Sequence, residues 1–229
     1  MAVLTDDLPR VWDANFLLVE RWKGSAVELA AEADRVMRAA GLRHRKVAIY
    51  DQALGARLWP ELPVDSWPFH DRSLVMAHRR DPDRPGDPLL EVAELDLDAY
   101  LRAHEPVVRA EPYGSDEETV RQLCELPRRV SAAIETRFFA GLADGQAASF
   151  ASLLLGDAVA QIEDVRTLEE HRGKGLAHAV VLRCLAEARR AGAKLVFLVA
   201  DDRDWPKELY ARLGFDPIGV ETMFGRPSE

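Results

Sequence analysis

Cysteine is scarce in this sequence, which has only Cys124 and Cys184 among its 229 residues. Two isolated cysteines provide neither a disulfide framework nor the paired spacing of a zinc site, so we expect a reducing, cytoplasmic environment. No apolar run approaches the roughly 18 residues that a membrane-spanning helix requires. The first residues, MAVLTDDLPR, are acidic where a secretory signal would be basic. These absences argue against the disulfide-rich, secreted and membrane-spanning classes.

Positive charge is also in deficit, because 30 lysines and arginines face 39 acidic residues and leave a formal net charge of −9. Neutralisation of phosphates supplies most of the affinity for nucleic acids, so this balance argues against a nucleic-acid-binding protein. An acidic surface suits cationic substrates, although it also simply favours solubility. The six histidines form no His-x-x-x-His pair and no spacing with cysteine, so no metal site is predicted.

The segment DPDRPGDP, residues 81–88, concentrates proline, glycine and charge, which is typical of a linker. We therefore predict one domain over residues 1–84 and a second over residues 85–229. Periodicity and turn residues in the second part predict strands at 89–95, 136–142, 146–155, 158–167, 194–200 and 215–224, and helices at 98–104, 115–128, 174–191 and 204–213. This order predicts an α/β fold whose sheet contains an antiparallel three-strand meander.

A glycine-rich segment, Arg172-Gly173-Lys174-Gly175-Leu176-Ala177, stands where the helix at 174–191 begins. The start of a helix leaves backbone N–H groups unpaired and carries partial positive charge, so it suits an anion such as a phosphate. A nucleotide-binding P-loop would need a lysine and a hydroxyl after its last glycine, but Leu176 follows Gly175. A glycine-rich helix start on the surface without a ligand is the remaining alternative.

The motif and the order of elements resemble the GNAT superfamily, the acyl-CoA-dependent N-acyltransferases. The family signature, Q/R-x-x-G-x-G/A, is matched at every specified position by residues 172–177. The segment ELYARLGF, residues 208–215, resembles the tyrosine-bearing end of the family's domain. The resemblance covers roughly residues 88–225 and implies a GNAT fold, a mixed and mostly antiparallel sheet flanked by helices.

The resemblance also implies roles for individual residues. Backbone N–H groups of residues 172–177 would hold the pyrophosphate of coenzyme A, and the backbone at Val165 and Thr167 would pair with its pantetheine arm. Tyr210 would donate a proton to the departing thiolate, and Glu163 would accept the proton of the amine. Tyr210 as a surface residue and Glu163 as a salt-bridged one are the alternatives. Many relatives carry asparagine where the last helix here begins with Asp204-Trp205-Pro206, which weakens any role transferred from that asparagine.

The chain also resembles itself. Shifting it by 151 positions aligns residues 7–64 with 158–215 at twelve identities, and residues 21–26 (RWKGSA) again satisfy R-x-x-G-x-A. The alignment predicts strands at 14–19 and 45–50 and helices at 25–40 and 52–62. Trp59 replaces Tyr210 and Trp22 replaces Gly173, so residues 1–84 are interpreted as a degenerate, smaller GNAT-like α/β half in a tandem repeat. Chance similarity between two segments of like composition is the alternative.

We therefore expect an acyltransferase that moves an acetyl group from acetyl-CoA to the primary amine of a small molecule, by direct attack in a ternary complex. A protein-lysine acetyltransferase and a non-catalytic acyl-CoA-binding scaffold are the alternatives. The expected partners are acetyl-CoA and an amine, without metal, nucleic acid or membrane, and homodimer formation is left open.

Overall fold

The structure is a computed structural model that describes residues 1–227. Its contacts divide the chain into two compact units. The first unit comprises Met1–Val75, Asp201–Asp204 and the chain from Ile218 onward, and the second comprises Met76–Ala200 and Trp205–Pro217. The first unit therefore contains two segments from the C-terminal part of the chain.

The first unit is built on a mixed sheet. Its elements are β1 (Ala2–Val3), β2 (Phe16–Val19), α1 (Ala26–Ala39), β3 (His44–Ile49), α2 (Gln52–Leu58), most of β4 (Phe69–His78) and the end of β10 (Phe215–Pro227). β2 and β3 are parallel, whereas β10 runs antiparallel to β3, from Thr222 beside Ile49 to Pro227 beside His44. Leu29 and Ala33 of α1 pack on Val47 and Phe224 to form the core. The strand that closes the chain thus completes the sheet of the first unit.

The second unit contains the predicted meander. Its elements are β5 (Val92–Leu95), α3 (Leu97–Ala110), α4 (Glu117–Ala133), β6 (Glu135–Ala143), β7 (Gln146–Leu155), β8 (Val159–Thr167), α5 (Leu176–Arg190), β9 (Leu195–Asp201) and α6 (Pro206–Arg212). The strand order is β9-β8-β7-β6-β5, with β5 to β8 antiparallel and β8 parallel to β9. The prediction of a mixed, mostly antiparallel sheet flanked by helices is confirmed.

Local sequence explains the meander and its two covered faces. Asp144 and Gly145 take φ of 51° and 75°, the left-handed pair that a two-residue hairpin turn requires. On one face of the sheet, Tyr100 of α3 packs against Phe138 and Phe150. On the other face, a β-carbon at Gly141 would lie 3.1 Å from Leu176 of α5, so this glycine allows α5 to approach the sheet closely.

The structure contains one long strand that was not predicted and two helices that extend beyond their predicted ends. β4 was not predicted, because its residues FHDRSLVMAH do not alternate regularly between polar and apolar side chains. α3 and α4 continue to Ala110 and Ala133, each with a proline inside it, since packing of residues such as Val108 outweighs the lost backbone hydrogen bond. No helix within residues 1–227 has both the length and the apolar character needed to cross a bilayer.

Candidate functional site

Strand β8 has an open edge in its second half. Its ladder with β9 pairs Val159 with Leu195 through Ile162 with Leu198, and in the described chain the ladder ends there. β8 itself continues for five more residues, to Thr167. Val165 and Thr167, the residues predicted to pair with pantetheine, lie in this extension. An unpaired strand edge presents N–H and C=O groups to an extended ligand.

A β-bulge interrupts β8 at the start of this extension. The register between β7 and β8 shifts between Phe150 and Ser152, so Ala151 faces more than one residue of β8. Asp164 has a φ of 55°, which is uncommon for a residue other than glycine. A bulge bends its strand, so the bulge accompanies the departure of β8 from β9.

The predicted anion site lies at the start of α5. A short 3₁₀ turn (Glu169–His171) follows β8, and Gly173 and Gly175 then take φ of 74° and 84°. Gly175 is the N-cap of α5 and offers no side chain to the helix. In the described chain, the N–H groups of residues 175–178 donate no hydrogen bond within the protein. Four convergent unpaired donors with the positive end of a helix dipole form a cradle for an anion.

The side chains around this cradle leave it open. No heavy atom lies within 4 Å of where a β-carbon at Gly173 would be. Arg172 is exposed and its Nε lies 3.4 Å from the Thr167 carbonyl oxygen, while Lys174 Nζ lies 3.5 Å from Nδ1 of His171. The two cations therefore flank the cradle without filling it.

The two predicted proton-transfer residues have different surroundings. Tyr210 lies on α6 with only 7% of its surface exposed, and its ring is edge-on to Phe215 at 6.4 Å. It is therefore buried rather than a surface residue of an amphipathic helix. Glu163 is half-buried on β8, where the side-chain amide of Gln161 donates to its carboxylate. Asp204, the first residue of the predicted last helix, lies outside it, because the N-cap of α6 is Trp205 and no side chain caps the helix.

A model of the Acetyltransferase (GNAT) family matches residues 93–215, just over half of the chain. The chain belongs to the GNAT acetyltransferase family. The match includes the meander, the open edge of β8, the cradle and Tyr210. No curated protein matches the chain significantly.

Solved structures share the GNAT fold at low sequence identity. A functionally unknown conserved protein from Staphylococcus epidermidis is 12% identical with a TM-score of 0.77, over 99% of this chain and 90% of its own. A GCN5-related N-acetyltransferase from Sphaerobacter thermophilus is 17% identical with a TM-score of 0.62, over 89% of this chain and 68% of its own. A tandem GNAT protein from the clavulanic acid biosynthesis pathway is 18% identical with a TM-score of 0.61, over 89% of this chain and 70% of its own.

The GNAT chain contains a second copy of the signature, residues 21–26, at the start of α1. There Ser25 is the N-cap, and its hydroxyl accepts the N–H of Glu28 while the Glu28 carboxylate accepts the N–H of Ser25. The N–H of Ala26 donates to the Glu61 carboxylate at 3.2 Å. Three donors that would meet an anion are therefore bonded within the chain itself, two of them to carboxylates.

One polar cluster of this GNAT unit was not predicted from the sequence. The Asp164 carboxylate on the bulge accepts a 2.5 Å hydrogen bond from the Tyr100 hydroxyl and lies 3.1 Å from Nδ1 of His104. Two consecutive acidic residues in β8, Glu163 and Asp164, break the alternation of a regular strand, and this signal could have indicated the bulge. No group of three or more metal-binding side chains occurs among the described residues.

Proposed function

We propose that the protein is an N-acetyltransferase that moves an acetyl group from acetyl-CoA to the primary amine of a small molecule by direct attack in a ternary complex. The family supports acetyl transfer. One observation carries the proposal further: a cradle of unpaired N–H groups, residues 175–178, follows directly on the open edge of β8. An anion and an extended arm can therefore bind side by side, which matches the pyrophosphate and pantetheine of coenzyme A.

Each part of acetyl-CoA has a proposed partner in the second unit. The N–H of Arg172 donates to the Glu169 carbonyl at 3.2 Å, so the pyrophosphate lies against the N–H groups that follow it, up to Ala177. The glycines in this segment let the backbone approach it closely. The pantetheine amides pair with the backbone of Val165 and Thr167 as an added strand. An N–H of this edge also faces the thioester carbonyl and stabilises the negative charge that develops on its oxygen.

The reaction needs a proton to leave the amine and another to reach the sulfur. The neutral amine attacks the thioester carbon, the C–N bond forms and the C–S bond breaks. Tyr210 gives its phenolic proton to the departing thiolate, since a phenol with an ordinary pKa of about 10 can donate to a thiolate in a dry site. Glu163 is the residue predicted to accept the amine proton. Holding both reactants in one complex raises their effective concentration and so lowers the activation free energy by roughly several kcal/mol.

The proposal also assigns a role to each part of the chain and a location to the protein. Residues 1–84 act as a degenerate GNAT-like half that does not bind coenzyme A, and residues 85–229 carry the reaction. Both cysteines are unpaired in the structure, as the proposed location in a reducing cytoplasm requires.

The test is release of free coenzyme A from acetyl-CoA in the presence of a broad panel of primary amines, selected by thermal-shift screening with acetyl-CoA present. The proposal expects release with at least one small amine. Acetyl-CoA binding without any release would favour the scaffold, and release only with lysine-containing proteins would favour the protein acetyltransferase.

A further inference from the structure

A histidine and a carboxylate form a buried pair on the α3 face of the sheet. His104 of α3 and Asp164 of β8 have side chains only 12% and 23% exposed, and their Nδ1 and Oδ2 atoms lie 3.1 Å apart. The other carboxylate oxygen, Oδ1, lies 3.1 Å from Nε of Arg166. Within residues 1–227, Nδ1 lies beside the carboxylate without a hydrogen bond, and Nε2 has no polar partner. One ring nitrogen thus lies beside the Asp164 charge, and the other is left for a ligand.

The charge on Asp164 acts directly on this imidazole. Burial works against ionisation, but the contacts with His104 and Tyr100, together with the charge of Arg166, hold the pKa of Asp164 well below its usual range. The carboxylate is therefore ionised at neutral pH, and its negative charge lies 3.1 Å from Nδ1. A negative charge at this distance stabilises the imidazolium that forms when the ring takes up a proton.

Tyr100 serves a different purpose in the same cluster. Burial and the nearby Asp164 charge raise the pKa of Tyr100 above its usual value, so its phenol stays neutral and acts only as a hydrogen-bond donor. Its ring stacks on the His104 ring at 5.5 Å, and Phe150 lies edge-on to the same imidazole at 6.3 Å. These aromatic contacts fix the plane of the imidazole.

The pair lies next to the proposed position of the acyl group. Asp164 immediately precedes Val165, so their Cα atoms are about 3.8 Å apart, and both lie where β8 has left β9. We infer that His104 is the group that accepts the proton of the acceptor amine, with Asp164 as the residue that positions it. The inference rests on the proposed function and assigns to His104 the role that sequence analysis predicted for Glu163.

The proton balance is straightforward. The ammonium form of the acceptor gives one proton to Nε2 of His104, and the neutral amine then attacks the thioester carbon. The tetrahedral species collapses with loss of the C–S bond, and the nitrogen loses its second proton to solvent. The sulfur gains a proton from Tyr210, which solvent then reprotonates. His104 finally releases its proton to solvent, so one proton is lost for each amide formed.

The charged and titratable groups around the pair are few. Those on β8 are Asp164, Arg166 and Glu163; Tyr100 belongs to α3; Glu111 and Tyr113 follow that helix. From β7 the neighbour is the uncharged Phe150.

The experiment compares His104→Gln with Glu163→Gln, using acetyl-CoA and the best amine of the panel across pH 6 to 9. His104→Gln should lower kcat by about 100-fold, change the Kd for acetyl-CoA less than about twofold, and remove the fall of kcat/KM on the acid side. Added imidazole should restore part of the activity of His104→Ala, which a purely structural role would not allow. Asp164→Asn should lower kcat by about tenfold and shift the acid side of the profile, because the imidazolium loses its carboxylate. His70→Gln in the first unit is the matched control and should behave as wild type.

Two outcomes would overturn the inference and are distinguishable. If the wild type turns over and His104→Gln keeps its kcat and pH profile while Glu163→Gln loses them, Glu163 is the base and the proposed function stands. If the wild type binds acetyl-CoA but releases no coenzyme A with any amine, the proposed function fails and the role of His104 fails with it. The melting temperature of each variant shows whether it still folds. Rescue of His104→Ala by added imidazole shows whether only the base has been lost.

Discussion

Residues 21–26 and 172–177 share the pattern R-x-x-G-x-A, and each segment leads into a helix, yet the two helix starts differ in what occupies them. At α5 the N-cap is Gly175 and the first N–H groups are unpaired. At α1 the N-cap is Ser25, and carboxylates of the chain accept its N–H and that of Ala26. The spacing of the motif therefore does not by itself produce an anion site. The deciding property is whether the chain supplies its own anion.

The side chains around the first segment reinforce the difference. The Trp22 indole donates to the carbonyl of Ser25, and Arg57 donates to the carbonyls of Trp22 and Gly24. A β-carbon at Gly24 would lie 2.5 Å from a carboxylate oxygen of Glu28, whereas one at Gly173 would meet nothing within 4 Å. In residues 21–26 the space beside the glycine is already occupied by side chains of the protein, whereas residues 172–177 are open to a ligand.

The largest expected effect is on acetyl-CoA binding. Arg172→Glu places a carboxylate beside the cradle, where it repels the pyrophosphate, so calorimetry should detect no acetyl-CoA binding. Arg21→Glu, its matched control, should leave an isotherm with one site per chain. Equal losses from both substitutions, or two sites per chain, would show that the first segment also binds coenzyme A.

The next effect is on turnover. Tyr210→Phe removes the proposed donor to the thiolate, so kcat should fall by about 100-fold with little change in acetyl-CoA affinity, because the proton is needed only as the sulfur departs. The equivalent change in the first unit, Trp59→Phe, should leave kcat unaltered. Steady-state kinetics with the chemical step rate-limiting provide the measurement, and an unchanged kcat for Tyr210→Phe would remove Tyr210 from the mechanism.

A smaller pair of changes separates stability from binding. Ser25→Ala removes the side-chain cap of α1 and should lower the free energy of unfolding by about 1 kcal/mol. Gly173→Ala forces a β-carbon into the left-handed region and should cost a similar amount, about 1–2 kcal/mol. Urea denaturation measures both. Only Gly173→Ala should weaken acetyl-CoA binding, and a loss of affinity in Ser25→Ala would contradict the proposal that its segment is closed.

The smallest expected effect is on the pH dependence of stability, for one half-buried carboxylate in each unit. Burial raises the pKa of Glu221 in the first unit. Glu221 therefore contributes stability at pH values below its pKa in the unfolded chain, about 4.3, and this contribution is lost as pH rises through its pKa in the folded protein. Asp164 has a lowered pKa, so its contribution is present above the unfolded pKa, about 3.9, and is lost as pH falls through the folded one.

Glu221→Gln should therefore raise the unfolding free energy at pH 7, by less than about 1 kcal/mol, and the gain should vanish near pH 4. Asp164→Asn should lower the unfolding free energy at pH 7. Urea denaturation at several pH values tests both signs, and a destabilising Glu221→Gln at pH 7 would show that Glu221 is paired rather than merely buried.

Local patterns in the sequence were sufficient for the meander, for α5 and for the glycine segment at its start. Turn pairs such as Asp144-Gly145 and the spacing of glycines act over a few residues, so they are visible without tertiary information. β4 and the cluster of Tyr100 with Asp164 are different, because the cluster joins residues 64 positions apart. The full extent of α3, through Pro106, likewise depends on packing. The division at residues 84 and 85 and the roles of the site residues stay predictions.

The pairing of β10 with β3 has a consequence for synthesis of the chain. β3 ends at Ile49, but its antiparallel partner begins at Thr222. At about 5–20 residues per second, roughly 10 to 35 s pass on the ribosome before that partner exists. During this interval one edge of β3 is without its final neighbour and exposed to association with other chains. We expect ribosome-bound chains that stop at residue 217 to be cut by protease within the first unit, and chains that include β10 to resist it.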